Sequence, residues 1–178
     1  MSAETFTTAM FLITAVIAAG VLINAVFPVV YQMAGTFSSS THASDERLRT
    51  DFKIITYFAN GNTDTAEIWL KNIGSSRILL NDIKKSDVLW GTEGDYGRLM
   101  YSEGTSPANG QWVTEFGDSA DEISKEYDLN ANEYWDSGET LHIKIMSPSA
   151  KPFISGDNMY FQFVLPGGTW RSVTFTAR

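Results

Sequence analysis

The chain has 178 residues, of which 13 are Lys or Arg and 21 are Asp or Glu, so its formal net charge is -8. This acidic balance argues against nucleic-acid binding, because an acidic surface repels phosphate backbones. The absence of Cys and the presence of only two His leave little material for disulfides, metal sites built on thiolates or imidazoles, or a His-dependent catalytic triad.

The first predicted element is a long hydrophobic helix over residues 1–34. No formal charge lies between Glu4 and Asp45 when His42 is neutral. Within this gap the apolar run from Phe6 to Tyr31 would form a helix of about 39 Å, longer than a hydrocarbon core of about 30 Å. A helix that is apolar on nearly all sides needs a bilayer or a helical assembly around it. The sequence therefore predicts a transmembrane or assembly helix.

Two other interpretations of this segment fit less well. A secretory signal peptide needs a basic N-terminal region, and here that region contains Glu4 and no Lys or Arg. A buried core helix of this length would need partners on every side, whereas the rest of the chain reads as short strands. Taken literally, the positive-inside rule uses the distant Arg47, Arg49 and Lys53 to favour a cytoplasmic C-terminal domain.

Small residues within the helix are spaced for helix packing. Ala15 and Ala19 lie four residues apart, as do Gly20 and Asn24. This spacing lets two helices approach closely, and an Asn side chain can hydrogen-bond across the interface. We therefore expect self-association through these residues, against the alternative that Ala and Gly are simply common in membrane helices.

Residues 35–50 are small and polar, and predict either a linker or a frayed continuation of the helix. From residue 51 to residue 178 the pattern changes to short β-branched and aromatic segments between turns. The predicted strands cover residues 51–60, 65–72, 77–80, 87–90, 98–101, 112–116, 140–146, 159–165 and 169–176. Pro166-Gly167-Gly168 predicts a hairpin between the last two. The domain is expected to be an immunoglobulin-like antiparallel β-sandwich, with a closed barrel as the alternative.

The acidic stretch from Glu115 to Glu139 contains a candidate calcium loop. Calcium loops carry oxygen ligands at positions 1, 3, 5, 9 and 12 and a backbone carbonyl at position 7. The residues that occupy these positions are Asp128, Asn130, Asn132, Asp136 and Glu139, with Tyr134 supplying the carbonyl. Position 6 is Glu133 where the pattern has Gly. The alternative is a solvated hairpin loop in which Asn and Asp form turns.

Features of an enzyme are missing from the sequence, which contains no Gly-rich phosphate loop, GxSxG or HExxH. Its five Trp are scattered, so most are expected to pack in the core. An aromatic carbohydrate platform on a membrane-tethered binding module is the alternative that this Trp content leaves open.

Four segments together resemble a known family. They are the N-terminal MSAETFTTAMFLITAVIAAGVLINAVFPVVYQM, then WLKNIGSSRI, DLNANEYWDSGETL and the closing MYFQFVLPGGTWRSVTF. Together they resemble the FlaF/FlaG stator family of the archaellum, the archaeal flagellum, and in particular its FlaG-type members. The resemblance covers nearly the whole chain, and archaellins share the same layout.

The resemblance implies a non-enzymatic stator with a single membrane helix and an immunoglobulin-like domain outside the cell, beneath or against the S-layer. FlaF-type members of the family bind the S-layer, and FlaG-type members form filaments and associate with FlaF. This implication reverses the orientation suggested by the charges. The helix resembles that of type IV pilins, with Glu4 near their acidic position. Met1-Ser2-Ala3-Glu4 shows no basic leader cleavage site, which favours an accessory protein over an archaellin unless the sequence is already processed.

Overall fold

A computed structural model of the chain describes residues 2–115 and 132–178. The chain divides into two compact units, Met1–Asp45 and Glu46–Arg178. The first unit consists of helix, and the second contains the β domain.

Helix α1 spans Ser2–Arg49. Its Thr hydroxyls hydrogen-bond to carbonyls one turn back and so are accommodated within the helix. Thr14 Oγ1, for example, donates to the Met10 carbonyl at 2.8 Å. Its large apolar side chains are exposed in the isolated chain, including Phe11 at 72% and Phe37 at 76%. By length and composition, α1 is the one helix among the described residues that could cross a membrane.

The helix does not end at residue 34. It continues to Arg49, which corresponds to the second alternative for residues 35–50 rather than to a separate linker. Residues 35–50 contain no Pro, which would interrupt a helix. Thr41 Oγ1 donates to the Phe37 carbonyl at 2.8 Å, so this polar side chain is accommodated on a helical backbone.

The β domain contains ten strands and one short helix among its described residues. In chain order the strands are β1 (Phe52–Asn60), β2 (Thr65–Asn72), β3 (Ile78–Leu79), β4 (Asp87–Thr92), β5 (Asp95–Tyr101), β6 (Gln111–Thr114), β7 (Tyr134–Trp135), β8 (Thr140–Met146), β9 (Asn158–Val164) and β10 (Trp170–Thr176), and helix α2 (Leu80–Lys84) follows β3.

Eight strands form one large sheet in the order β1-β2-β8-β6-β5-β4-β9-β10, and β3 pairs separately with β7. Neighbouring strands are antiparallel with one exception, the parallel pair β5 and β6, which corrects the fully antiparallel expectation. At this place β5 changes partner along its length: it pairs with β4 as far as Leu99, and with β6 from Met100.

Strand β5 thus divides the sheet into two halves that face each other. Phe163 of β9 lies edge-on to Phe52 of β1, with ring centroids 5.5 Å apart, and edge-on to Trp112 of β6 at 6.1 Å. All three side chains are fully buried. The core therefore lies between the halves, and the predicted long helix followed by a mostly-β domain with a large antiparallel sheet is confirmed.

The two edge strands meet at one end, which gives the sandwich some character of the barrel alternative. Arg178 N–H donates to the Ala59 carbonyl at 2.9 Å, and Gly61 N–H donates to the Arg178 carbonyl at 3.0 Å. Further along, Tyr57 of β1 and Phe175 of β10 stack with centroids 4.3 Å apart. The contact between the two edges thus consists of backbone hydrogen bonds at one end and of a side-chain stack between β1 and β10 further along.

The predicted hairpin at Pro166-Gly167-Gly168 is present, with Val164 paired to Trp170 and Gly168 at a φ of 89°. The sequence analysis did not predict α2 or β7. Both are too short to show a hydrophobic period: α2 has five residues and β7 has two.

Candidate functional site

The end of α1 is hydrogen-bonded to a turn that follows β2. The Arg49 carbonyl accepts hydrogen bonds from the N–H groups of Ser75 at 2.9 Å and Ser76 at 3.1 Å. The Asp51 carbonyl accepts from Ile73 at 3.0 Å and from the next residue of the turn at 2.8 Å. Four backbone hydrogen bonds therefore hold the stretch in which the chain leaves the helix and enters the sheet.

Gly74 is required at this turn because of the close approach of the backbone. A Cβ atom at this position would lie 2.4 Å from the Arg49 carbonyl oxygen and 2.5 Å from the Asp51 nitrogen. Both neighbours are backbone atoms, so a side chain here would displace the exit from α1. This packing gives a physical reason for the Gly of the Lys71-Asn72-Ile73-Gly74-Ser75 segment.

Asn72, which is fully buried, connects this turn to the loop before β8. Its side-chain Nδ2 donates to the Trp135 carbonyl at 2.8 Å and to the Ser76 carbonyl at 3.0 Å, while its Oδ1 accepts from Gly74 N–H at 2.9 Å. Its backbone N–H donates to the Glu139 carbonyl at 3.0 Å. One amide side chain thus satisfies three backbone groups on two separate segments.

Trp135 and Gly138 complete this connection from the other side. The Trp135 indole N–H donates to the Glu139 carbonyl at 2.9 Å, and Gly138 N–H donates to the Asn72 carbonyl at 2.8 Å. Two segments that carried the family resemblance, WLKNIGSSRI and DLNANEYWDSGETL, therefore meet at one place. We call the hydrogen-bonded residues Arg49, Asp51, Asn72–Ser76 and Trp135–Glu139 the junction.

The predicted calcium ligands are placed only in part. Asp128 and Asn130 lie outside the described residues. Asn132 Nδ2 donates to Asp136 Oδ2 at 2.8 Å, and the buried Glu139 accepts from Asp136 N–H through Oε2 at 2.8 Å. Tyr134 lies in β7, and its N–H donates to Asn132 Oδ1 at 2.9 Å. Several oxygens of the proposed ligand set thus accept hydrogen bonds from within the loop.

Glu133 adopts the backbone conformation that the calcium-loop pattern reserves for Gly. Its φ is 62°, in the left-handed region. The tight turn at position 6 is therefore present although the residue is not Gly. Among the described residues no group of three or more His, Asp or Glu is arranged to hold a metal, and calcium binding stays a prediction.

A charged cluster on β2 and β8 was not anticipated. His142 Nδ1 lies 2.8 Å from Glu115 Oε2, and its Nε2 lies 3.2 Å from Glu67 Oε2. Lys144 forms an ion pair with Glu115, and Trp69 stacks on the imidazole with centroids 4.4 Å apart. The cluster could not be predicted from the sequence, because Glu115 and His142 lie on different segments that only strand pairing brings together.

Glu115 is the member of this cluster with a shifted pKa. Burial by itself would raise the pKa of its carboxyl group. The hydrogen bonds from Lys144 and His142 and the positive charges of these groups outweigh burial, so the pKa is lowered from its ordinary value.

Most of the Trp residues pack in the core, as expected. Trp90, Trp112 and Trp135 are buried, whereas Trp170 is 53% exposed. Trp69 is half-buried against His142. The described structure therefore does not gather the five indoles into one aromatic platform.

The residues predicted for helix packing, Ala15, Ala19, Gly20 and Asn24, are all exposed on α1. A Cβ atom at Gly20 would meet nothing within 4 Å. Their surface is thus open to another molecule.

Comparisons with known proteins agree with this architecture. The archaeal-type flagellin family model matches residues 7–175. An uncharacterized protein of Archaeoglobus fulgidus is 26% identical over 170 residues, which cover 94% of each chain.

Solved structures share the fold. The archaellum periplasmic stator protein FlaG from Sulfolobus acidocaldarius matches with a TM-score of 0.51 and 23% identity, over 71% of this chain and 99% of that chain. A chain of the FlaF and FlaG stator complex from that organism matches with a TM-score of 0.50 and 22% identity, over 70% of this chain and 87% of that one. The archaeal flagellum of Methanospirillum hungatei matches with a TM-score of 0.56 and 18% identity, over 92% of this chain and 90% of that one.

Replacing Asn72 with Ala should destabilise the β domain strongly. The substitution removes three hydrogen bonds between the Asn72 side chain and backbone groups of the junction, each contributing about 0.5–1.5 kcal/mol. Urea unfolding of the purified chain measures the loss, which we expect to exceed about 2 kcal/mol in total. Asn62→Ala, in the exposed turn between β1 and β2, is the matched control. Equal stability of the two variants would contradict the assigned role of Asn72.

Replacing Glu115 with Gln should destabilise the domain in a pH-dependent way. Because the folded-state pKa is lowered, ionised Glu115 stabilises the fold above the ordinary carboxyl pKa of about 4.3, and this stabilisation is lost as the pH falls below it. We expect a loss of about 1.5 kcal/mol at pH 7 that shrinks as the pH falls from the ordinary carboxyl pKa through the lowered folded-state pKa. Glu93→Gln, at an exposed position, should change stability little at either pH. A loss independent of pH would contradict the assigned ion pairs.

If the acidic loop binds calcium, the metal should raise the stability of the full chain in detergent. At a tenfold excess over the dissociation constant the expected gain is about 1.4 kcal/mol. Calorimetric titration should show saturable heat, and Asp128→Asn should weaken it while Asp95→Asn, on β5, should not. No heat and no rise in melting temperature at millimolar calcium would end the prediction.

Proposed function

This chain belongs to the archaeal-type flagellin family, and on that premise we propose that it acts as a membrane-attached stator subunit of the archaellum. As a member of this family it is a non-enzymatic structural component of the archaeal motility apparatus. The observation that carries the proposal is the 48-residue helix α1, whose long apolar part is exposed and which is followed by a β domain with the fold of FlaG.

A stator must resist torque, so it needs an attachment at each end. The apolar side chains of α1 would provide one attachment, in the bilayer or in a bundle of like helices. The β domain would provide the other, by binding a partner outside the membrane. Force between them passes through Arg49, Thr50 and Asp51, where the junction supplies four backbone hydrogen bonds to the sheet.

The proposed location is the cell membrane, crossed once by α1, with the β domain outside the cell. The similarity to a periplasmic stator protein supports this placement. A FlaF-type protein is the proposed partner, because a chain of the FlaF and FlaG complex shares the fold. Attachment to the S-layer, directly or through that partner, is part of the same proposal and rests on the resemblance of the sequence to the stator family.

A filament subunit is the second candidate. The matching region of the Methanospirillum hungatei flagellum covers 92% of this chain, more than the β domain alone. In this case α1 would lie in the core of an extracellular filament, and its apolar surface would be covered by copies of itself rather than by lipid.

Deletion of the gene in the source organism distinguishes the two functions. Loss of a stator should leave assembled filaments on the cell while swimming is abolished, because the motor would lack its anchor. Electron microscopy counts the filaments, and tracking of single cells measures swimming. Restoration by the unaltered gene controls for effects on neighbouring genes.

Missing filaments would instead identify a filament subunit and contradict the stator role. Unchanged filaments together with unchanged swimming would contradict both candidates.

A further inference from the structure

The two edge strands of the large sheet, β1 and β10, run in the same direction. They lie at opposite ends of its strand order. Arg178, just after β10, donates its N–H to the Ala59 carbonyl and accepts from Gly61 N–H, at 2.9 and 3.0 Å. A residue that bonds to both neighbours of the residue opposite, here Asn60, follows the hydrogen-bond pattern of parallel strands. Direct pairing of β1 with β10 would therefore be parallel, unlike nearly every other contact in the sheet.

The seam between the two strands is open along its middle. It is closed at one end by the hydrogen bonds of Arg178, and at the other by a partly exposed ion pair between Asp51 and Arg171. Among the described residues, β1 pairs with β2 alone and β10 pairs with β9 alone. The opening between them, which we call the slot, has a volume of about 420 Å³ and is lined by residues 56–59, Phe175, Thr176 and Arg178.

Backbone polar groups of both strands point into the slot. Successive residues of a strand direct their N–H and carbonyl groups to opposite edges, and Arg178 directs both of its groups to β1. Counting back in steps of two along the regular β10, Thr176 and Thr174 do the same. On β1 the Ala59 carbonyl faces β10, and so therefore do the N–H and carbonyl of Tyr57. The slot thus presents backbone donors and acceptors for which the described strands supply no pairing.

Apolar side chains are exposed at the same edge. Tyr57 lies on the core side of β1, as the buried Ala59 does, and stacks on the buried Phe175 with ring centroids 4.3 Å apart. It is nevertheless 44% exposed, because the slot leaves the core open beside it. Phe58, on the outer side, is 45% exposed. A long edge strand with exposed apolar side chains is a template on which another strand can pair.

The charges beside the slot favour an acidic group. Lys53 of β1 lies directly opposite Lys71 of β2, and both are exposed. Like charges at directly opposite positions destabilise a sheet. No ion pair to either lysine occurs within residues 2–115 and 132–178. A carboxylate placed next to Lys53, on the slot side of β1, would relieve this repulsion.

We propose that an extended segment of a partner protein binds in the slot, antiparallel to both β1 and β10. One strand of opposite direction converts a parallel seam into two antiparallel contacts and uses the backbone groups of both edges. Side chains of such a segment alternate between the two faces. An apolar one on the inner face would cover Tyr57 and Phe175, and an acidic one on the outer face would lie beside Lys53. The inference rests on the proposed function, which supplies a FlaF-type protein as the partner.

The slot can open at its Asp51 end. To admit a strand, β1 and β10 must lie about 10 Å apart, twice the usual spacing of neighbouring strands. The side chains of Asp51 and Arg171 are 40% and 47% exposed, and exposed ion pairs contribute little to stability. The stretch of β1 between the two closures runs from Lys53 to Phe58, the length of an ordinary strand.

Proline substitution in β10 tests the backbone contact. Thr174→Pro removes an N–H that faces the slot and spares the pairing of β10 with β9, since Pro is tolerated at such edge positions. Thr174→Ala, which keeps the N–H, is the matched control. Calorimetric titration of the full chain in detergent with the FlaF-type protein of the source organism measures binding. We expect the dissociation constant to rise at least about tenfold for Thr174→Pro and less than about twofold for Thr174→Ala. Equal affinities of the two variants would overturn the proposal.

Reversal of one charge tests the position of the acidic side chain. Lys53→Glu should weaken binding of the FlaF-type protein at least about fivefold at low salt, because it would face the acidic group of the bound segment. Lys85→Glu, at an exposed position after α2, makes the same change of net charge and should alter the affinity less than about twofold. Equal effects of the two substitutions would overturn the acidic contact beside Lys53.

Hydrogen exchange provides a measurement on the unaltered chain. Binding of the FlaF-type protein should slow exchange of the Tyr57, Thr174 and Thr176 amides at least about tenfold, because these groups gain partners. The amide of Glu103, in the exposed loop after β5, should exchange as before. Unchanged exchange at the slot in a saturated complex would overturn the proposal, even if Thr174→Pro failed to fold.

The outcomes separate the slot from the proposed function. A complex that forms without the slot would refute this contact, while the stator role and its partner remained. If the FlaF-type protein did not bind the unaltered chain, or if a second copy of the chain filled the slot instead, the contact with the partner would be overturned. The deletion phenotype tests the stator role without reference to the slot.

Discussion

A helix whose apolar side chains are exposed all around cannot remain alone in water, and this constraint organises the rest of the molecule. The apolar surface of α1 has no counterpart in the first compact unit, so its stability depends on lipid or on other helices. The β domain has its own buried core and does not need α1 for that purpose. The β domain therefore buries its own apolar side chains, whereas α1 needs lipid or other helices to cover its apolar surface.

The junction holds the segment through which the chain passes from α1 into the β domain. Polar backbone groups at the end of a helix need partners, and here the turn after β2 supplies N–H donors to the carbonyls of Arg49 and Asp51. Asn72 extends this arrangement to the loop before β8. Buried networks of this kind hold their segments firmly only when every member is satisfied. For the proposed stator role, in which force would pass from the helix to the sheet, firm attachment of the segment between them is a requirement.

One architecture can serve both a stator and a filament, because the difference lies in what covers α1 and the surface of the β domain. In a filament, the helices of many copies cover one another. In the proposed stator, lipid would cover most of the helix. Function in this family is therefore decided by surfaces rather than by a catalytic constellation.

The sequence by itself determined the hydrophobic helix and nearly all of the strands, because charge, apolar length and period-two alternation are local signals. It also identified the segments around Asn72 and Trp135 as informative, without showing that they touch. Only the tertiary structure decided that contact, the cluster of His142 with Glu115, the parallel pair β5 and β6, and the short elements α2 and β7. Contacts between strands depend on pairing between residues far apart in sequence, which leaves no periodic trace, and elements as short as α2 and β7 show no hydrophobic period.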